Sequence, residues 1–220
     1  MPYVMITSKC NMRCAHCCYS CGPSGRHMTL DTFKFALELD CESISIGGGE
    51  PTVHPHVWKF LGLAIAQVEY VWLATNGKDT KAALALAKMA KKGVISCALS
   101  LDCYHEPIDK KVVEAFQRRE RNLDSMRPDE DCREIRNVVE SNPGVLAIGR
   151  GAEILGANDG CPCPELFVRP NGDVLLCGCP DAPKLCNLHQ KNIQLFAVPG
   201  DGCWKEMKEQ GTLPILRRQS

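Results

Sequence analysis

The stretch from Ser8 to Cys21, SKCNMRCAHCCYSC, puts five cysteines into fourteen residues, and three of them, Cys10, Cys14 and Cys17, stand in C-x3-C-x2-C spacing. Thiols this close in sequence cannot be distributed over separate elements. They demand one short loop that converges its side chains, and any fold for the chain has to deliver that loop from a regular element and then cover it. The chain carries 15 cysteines in 220 residues. Its opening, MPYVMITSKC, lacks the charged and apolar regions of a signal peptide, and no run of 18 or more apolar residues occurs, so the expected location is the cytoplasm with no membrane association. Thiols stay reduced there, which turns the cysteines from disulfide staples into candidate metal or cluster ligands. An odd count also rules out complete pairing within one chain. Cys41, Cys97 and Cys132 sit among helical or strand-like residues and read as small buried hydrophobes.

Around the loop, the first two thirds of the chain alternates short apolar runs with amphipathic ones, the pattern of strand-helix units around a parallel sheet. YVMITS reads as a strand leading directly into the cysteines. MTLDTFKFALEL follows as a helix with Thr29 or Asp31 as its cap, then SISIGGGEP as a strand ending in glycines. HVWKFLGLAIAQV and DTKAALALAKMAKKG are helices, the second closed by Gly93, and they bracket the strand EYVWLATNG. VISCALSLD is a continuously apolar strand, expected to be covered on both faces. Two polar helices, DKKVVEAFQRRERNL and DEDCREIRNVVES, and a short strand VLAIGRG complete this part. From about Ala152 cysteine, proline and glycine become dense, and ELFVRPNGDVLLC reads as a β-hairpin turning at Asn171-Gly172. The expected division is residues 1–155 and 156–220.

Three thiolates on one loop suit either zinc or an iron-sulfur cluster. Structural zinc closes its tetrahedron with a fourth Cys or His and favours two split pairs. Cys18, Cys21, His16 and His27 are available for that place, but three thiols packed around one turn fit zinc poorly. A [4Fe-4S] cubane takes one thiolate per iron, so three leave one iron open. Lys and Arg total 26, as do Asp and Glu, so net charge argues for neither nucleic acid nor an anionic membrane; nucleic acid stays open only through a local basic groove.

CNMRCAHC after a first strand, followed by GGGEP after a second, resembles the radical S-adenosylmethionine (radical SAM) superfamily. The resemblance implies an α/β fold, a partial (β/α) TIM-like barrel shortened here to about five or six parallel strands. It implies that Cys10, Cys14 and Cys17 bind a [4Fe-4S] cluster whose open iron takes S-adenosylmethionine, and that reductive cleavage yields a 5'-deoxyadenosyl radical that abstracts hydrogen from a substrate. Gly48, Gly49, Glu50 and Pro51 are then the motif beside the cofactor: glycines admit a ligand to the backbone, and Glu50 offers an acceptor for its amine. By strand order, Thr75 and Asn76, Ser100 and Asp102, and Arg150 fall at strand C-termini, where barrels collect active-site groups. Ser100 and Asp102 resemble cofactor contacts, Arg150 can pair with a carboxylate, and His105 with Asp102 is the candidate catalytic pair facing substrate.

In the C-terminal part, CPCPELFVRPNGDVLLC fits C-x(9-15)-G-x4-C, with Cys161, Gly172 and Cys177 at the marked positions. That pattern resembles the twitch and SPASM extensions of the same superfamily, and implies a small cysteine-rich β-hairpin module holding a second, auxiliary [4Fe-4S] cluster. Cys161 and Cys177 follow from the pattern; Cys179, Cys186 and Cys203 compete for the other places, Cys163 can replace Cys161, and Cys186 is favoured by its position in KLCNLHQ. A zinc ribbon of Cys163, Cys177, Cys179 and Cys186 is the competing reading. The expected function is radical modification of a peptide by crosslinking, epimerisation or rearrangement, with a flavodoxin or ferredoxin as electron donor. A nucleoside, DNA base or small molecule is the alternative substrate, and an iron-sulfur carrier or zinc-binding module is the non-enzymatic alternative.

Overall fold

The computed structural model describes residues 1–39, 42–117, 131–140, 144–158, 160, 166–190 and 209. In chain order the elements are β1 (Tyr3–Thr7), α1 (Leu30–Leu37), β2 (Ser43–Gly48), α2 (Val57–Gln67), β3 (Tyr70–Thr75), α3 (Thr80–Lys91), β4 (Ser96–Ser100), α4 (Lys110–Phe116), β5 (Arg133–Arg136), β6 (Phe167–Val168), β7 (Asp173–Leu175) and β8 (Lys184–Asn187). The strands form a single sheet in the order β5-β4-β3-β2-β1-β6-β7-β8. Pairing is parallel from β5 through β1 to β6, an unbroken run of six strands, and antiparallel from β6 to β7 and from β7 to β8, so β7 alone opposes the other seven. This is the mixed α/β, mostly parallel arrangement expected of a shortened barrel.

Helix starts follow from local chemistry. Thr29 caps α1 by accepting from Thr32 N–H, and Asp79 caps α3 by accepting from Ala82 N–H, each satisfying an amide that the helix itself leaves unbonded. The helices cover one face of the sheet. Val4 and Ile6, Ile44 and Ile46, Val71 and Leu73, and Cys97 and Leu99 point into that core with Phe33, Phe60, Leu86 and Phe116. Phe33 and Phe60 stack at 4.3 Å, locking α1 against α2. Residues at the alternate strand positions fall on the opposite face and are mostly small: Ser45, Gly47, Ala74, Ala98 and Ser100. Small side chains on that face leave space at the strand ends, where the cysteine loop lies.

Two expectations fail. DEDCREIRNVVES is not a helix: Arg133–Arg136 is the edge strand β5, paired with β4. An edge strand needs no apolar alternation, and its charged, exposed residues imitate a helix face. VLAIGRG is not a strand either; Leu146 makes one isolated bridge to Asn158, and Gly149–Glu153 is a turn of 3-10 helix. β6 and β7 pair antiparallel, Phe167 with Leu175 and Val168 with Val174. Arg169 C=O accepts from Gly172 N–H at 2.9 Å and Arg169 N–H donates to Asp173 at 2.8 Å. Gly172 takes φ +84°, so a tight turn with a left-handed glycine joins β6 to β7. β6 lies directly beside β1, and the described part of the tail therefore extends the main sheet.

Candidate active site

β1 ends at Thr7, and the segment that follows folds back on itself at the end of that strand. Cys10 N–H donates to Gly22 C=O at 2.9 Å and Ser8 N–H to Arg26 C=O at 2.8 Å, closing the loop on itself. Cys10, Cys14 and Cys17 are reduced, half-buried thiols within it. Met12 N–H and the Asn76 side-chain amide point at Cys10 Sγ, at 3.4 and 3.7 Å, the kind of donor that stabilises a thiolate. A hydrogen bond with the buried Cys21 thiol pulls Cys17 down, aided by the Arg150 charge, and pushes Cys21 up. Burial raises Cys10, and it pushes Cys14 up to about 11. The three thiols thus sit in partly dry surroundings, with donors aimed at the Cys10 and Cys17 sulfurs, an arrangement that favours thiolates there.

The glycines of GGGEP have a different reason to be glycine than the one expected. A Cβ on Gly47 would stand 2.0 Å from the Tyr3 hydroxyl, one on Gly48 2.1 Å from Thr7 O, and one on Gly49 2.3 Å from Lys9 O. Gly49 N–H and Glu50 N–H donate to Thr7 and Lys9 carbonyls at 2.8 and 2.9 Å. The close approach is made by the protein's own backbone, and it seats the cysteine loop on the end of β2. Glu50 is buried: Thr52 N–H, Thr52 Oγ1–H and Thr75 Oγ1–H donate to Oε1, and Asn76 N–H donates to Oε2 at 2.7 Å. Burial still pushes its carboxyl up. The carboxylate therefore ties the ends of β2 and β3 together, and Pro51 opens the 3-10 turn that follows.

Arg150 is also placed otherwise than expected. It lies on the 3-10 turn, and its Nε and Nη1 donate to the Cys14 and Cys21 carbonyls, both at 2.9 Å, while its N–H donates to Cys17 C=O at 3.1 Å. Gly149 takes φ +59°, and a Cβ there would meet Cys18 O at 2.3 Å. The GRG turn is a clamp on the cysteine loop, with the guanidinium spent on loop carbonyls. Nothing local in the sequence signals this, because the partners are 129 and 136 residues away.

Thr75 and Asn76 lie at the end of β3, Ser100 at the end of β4, and Asp102 and His105 just beyond it. Asp102 Oδ1 accepts from Tyr104 N–H and meets His105 Nδ1, each at 2.9 Å. Burial raises the Asp102 carboxyl, but these donors and the neighbouring imidazoles outweigh it and hold it low. His16, from the cysteine loop, stands 3.5 Å from Asp102 Oδ2 and edge-on to His105; burial lowers it. Sequence reasoning considered His16 only as a spare zinc ligand and did not place it with Asp102.

The tail cysteines divide. Cys177 and Cys179 are buried with Met5, Cys21, Phe167, Leu175 and Ala182 on the cysteine-loop side. Cys186 lies opposite Val174 in β8 and is buried with it in the helix-side core. Because β7 alternates between the two faces, Cys186 and Cys177 occupy different layers, contrary to the expectation that favoured Cys186 as their common ligand. Cys161, Cys163 and Cys203 lie outside the described residues.

Among the described residues no helix is long and apolar enough to cross a membrane. The family model described as Radical SAM superfamily matches residues 4–147. Mycofactocin maturase MftC of Mycobacterium ulcerans is 33% identical over 102 residues, 44% of this chain and 27% of MftC. The antilisterial bacteriocin subtilosin biosynthesis protein AlbA of Bacillus subtilis is 30% identical over 123 residues, 52% of this chain and 26% of AlbA. The match thus spans about a quarter of either relative. The crystal structure of BtrN in complex with AdoMet and 2-DOIA superposes with a TM-score of 0.56 at 18% identity, covering 87% of this chain and 78% of that one, which shows a common fold. With the three-thiol loop after β1 and a family match over more than half its length, the chain belongs to the radical SAM superfamily, whose members use a [4Fe-4S] cluster and S-adenosylmethionine.

Proposed function

We propose that the chain is a radical SAM enzyme acting on a polypeptide. The observation that carries the catalytic part is the loop of Cys10, Cys14 and Cys17, clamped by Arg150 from one side and by the glycine strand end from the other, with donors aimed at Cys10 sulfur. These thiolates would hold three irons of a [4Fe-4S] cluster. Bound there with S-adenosylmethionine, such a cluster would supply the one-electron reducing chemistry for its cleavage. The chain's own groups bind and orient. Glu50 Oε2 accepts from Asn76 N–H, and a carboxylate oxygen has capacity for a second donor, which an α-amine can fill. Gly48, Gly49 and Pro51 set the backbone that carries it, and Thr75, Asn76, Ser100 and Asp102 line the strand ends toward the same space. Asp102 orients His105 through Nδ1, and the pair is the candidate catalytic pair on the substrate side of the strand ends.

The polypeptide substrate rests on the relatives. One is named for maturation of mycofactocin and another for biosynthesis of subtilosin, a bacteriocin, and bacteriocins are polypeptides. An auxiliary cluster, in this reading, draws on Cys177 and Cys179 with partners from Cys161, Cys163 and Cys203, and leaves Cys186 to the core. A small diffusible carrier such as flavodoxin or ferredoxin would deliver the electron.

Anaerobic reconstitution followed by incubation with S-adenosylmethionine and dithionite should release 5'-deoxyadenosine, and Cys10→Ala, Cys14→Ala or Cys17→Ala should abolish the release. Cluster-loaded protein that yields none overturns the enzyme reading. Iron counts of about eight per chain would support two cubanes and about four only one. A peptide that gains a mass change in the same assay supports the substrate class; turnover of nucleosides with no response to peptides overturns it.

A further inference from the structure

Three side chains meet beside the cysteine loop without any bond that explains all of their polar atoms. His16 comes from the loop, and Asp102 and His105 come from the segment after β4. One ligand atom of each lies within 4.8 Å of the other two. The group is dry: His16 is 8% exposed, the Asp102 side chain is fully buried and the His105 side chain nearly so. Asp102 Oδ1 is accounted for by Tyr104 and His105. Asp102 Oδ2 and His16 Nδ1 are buried and make no hydrogen bond. The nitrogen that faces Oδ2 is His16 Nε2, at 3.5 Å, and folded proteins rarely leave buried polar atoms unbonded, because each has given up water for nothing.

We propose that His16, Asp102 and His105 bind one divalent first-row transition ion, distinct from the iron-sulfur cluster. Two imidazoles and one carboxylate form the donor set that suits Fe(II), Mn(II) or Zn(II) while leaving other coordination positions open. The carboxylate supplies the negative charge that a buried cation needs, and Tyr104 N–H on Oδ1 fixes its orientation as an outer partner of a metal ligand does. The site joins the loop that carries the three thiols to the end of β4, so an ion there would cross-link two segments that no described strand pairing joins directly. Its open positions would accept oxygen or nitrogen donors, among which a polypeptide amide or carboxylate belongs.

Manganese is the probe of choice, because a hard ion avoids the chain's many thiols. Cluster-loaded, EDTA-washed protein is titrated with Mn(II), and the six-line signal of free Mn(II) is followed by room-temperature EPR, with and without S-adenosylmethionine. One equivalent per chain should disappear from the free pool under both conditions. Electron spin-echo modulation of the bound ion should show imidazole nitrogen. Asp102→Asn and His105→Gln should each weaken binding by about 100-fold or more, since even outer partners of a metal cost 10–100-fold. The cluster EPR intensity of each variant serves as the control for folding, and where a variant loses its cluster the nitrogen modulation in the parent protein decides. Absence of binding, bound Mn(II) without imidazole nitrogen, equal binding by the variants, or binding that S-adenosylmethionine abolishes would each overturn the site. None of these outcomes touches the radical SAM reading, because cluster content and 5'-deoxyadenosine release are measured without manganese.

Discussion

Arg150 shows how much of this site hangs on single side chains remote from it in sequence. Its Nε and Nη1 hold the carbonyls of Cys14 and Cys21, and bonds from a charged donor contribute about 1.5–3 kcal/mol each. With two such bonds lost, Arg150→Ala should therefore cost about 3–6 kcal/mol and leave the thiols poorly converged. Iron and sulfide counts after reconstitution should fall well below those of the parent, and Arg150→Lys should recover little, since an ammonium has no planar fork. His54 makes a second case. It is buried, its Nε2 lies 2.9 Å from Met28 C=O and its Nδ1 accepts from His56 N–H at 3.0 Å, which fixes the neutral tautomer with the proton on Nε2. Burial first, and nearby His27 and His56 after it, lower its pKa against the Met28 bond. Unfolded, His54 binds a proton below about 6.5; folded, it resists doing so. The unfolded state then holds more protons, so this contribution is complete above about 6.5 and is lost as pH falls toward the lowered folded value. The urea midpoint should drop between about pH 7.5 and 5.5, and His54→Gln should flatten that dependence; an equal slope in both proteins would remove His54 as its source.

The junction of β1 and β2 is where sequence and structure agree on identity but differ on reason. GGGEP was legible as a strand end beside the site, yet its glycines answer to Thr7 O and Lys9 O, contacts that require knowing that β2 lies beside β1. Gly48 also takes φ +148°. Gly48→Ala should destabilise by about 2–5 kcal/mol through the clash and the backbone conformation together, visible as a lowered melting temperature and reduced cluster loading. Glu50→Gln should cost about 2–4 kcal/mol, because the amide turns an NH2 toward a donor wherever it is placed among Thr52, Thr75 and Asn76. The central strands and their helices were readable because buried parallel strands and amphipathic helices carry strong apolar periods. β5 was not, since a charged edge strand carries none. The GRG turn was not, because Gly149 and Arg150 are shaped by the cysteine loop and not by their neighbours in sequence. His16 and Asp102 could be seen separately as polar residues near strand ends, but only the folded loop brings them to 3.5 Å.

The cysteine loop, the helix-side core and the tail all meet on β1. One edge of β1 pairs with β2 and the other with β6; Val4 and Ile6 face the helices while Met5 packs with Phe167, Leu175, Cys177 and Cys179. Phe167 also stacks on Tyr3 at 5.1 Å, and Gly48 N–H at the end of β2 in turn donates to the Tyr3 hydroxyl, at 2.8 Å. Composition alone suggested a module separable at about residue 155. The sheet gives the described tail strands a second duty, closing the edge and the loop-side face of the strand that carries the cysteines. A chain ending at residue 157 would leave β1 with an unpaired edge and with Met5, Tyr3 and Cys21 exposed to water, and an open apolar edge strand is an aggregation site. Such a truncation should lose its cooperative thermal transition by calorimetry and circular dichroism, and should fail to load iron. Phe167→Ala in the full chain, which removes only the wedge, should cost about 3–5 kcal/mol while keeping a single transition. If the truncated chain instead melts cooperatively within a few degrees of the full one, the tail is separable after all, and β6 to β8 serve substrate or an auxiliary cluster without supporting the site.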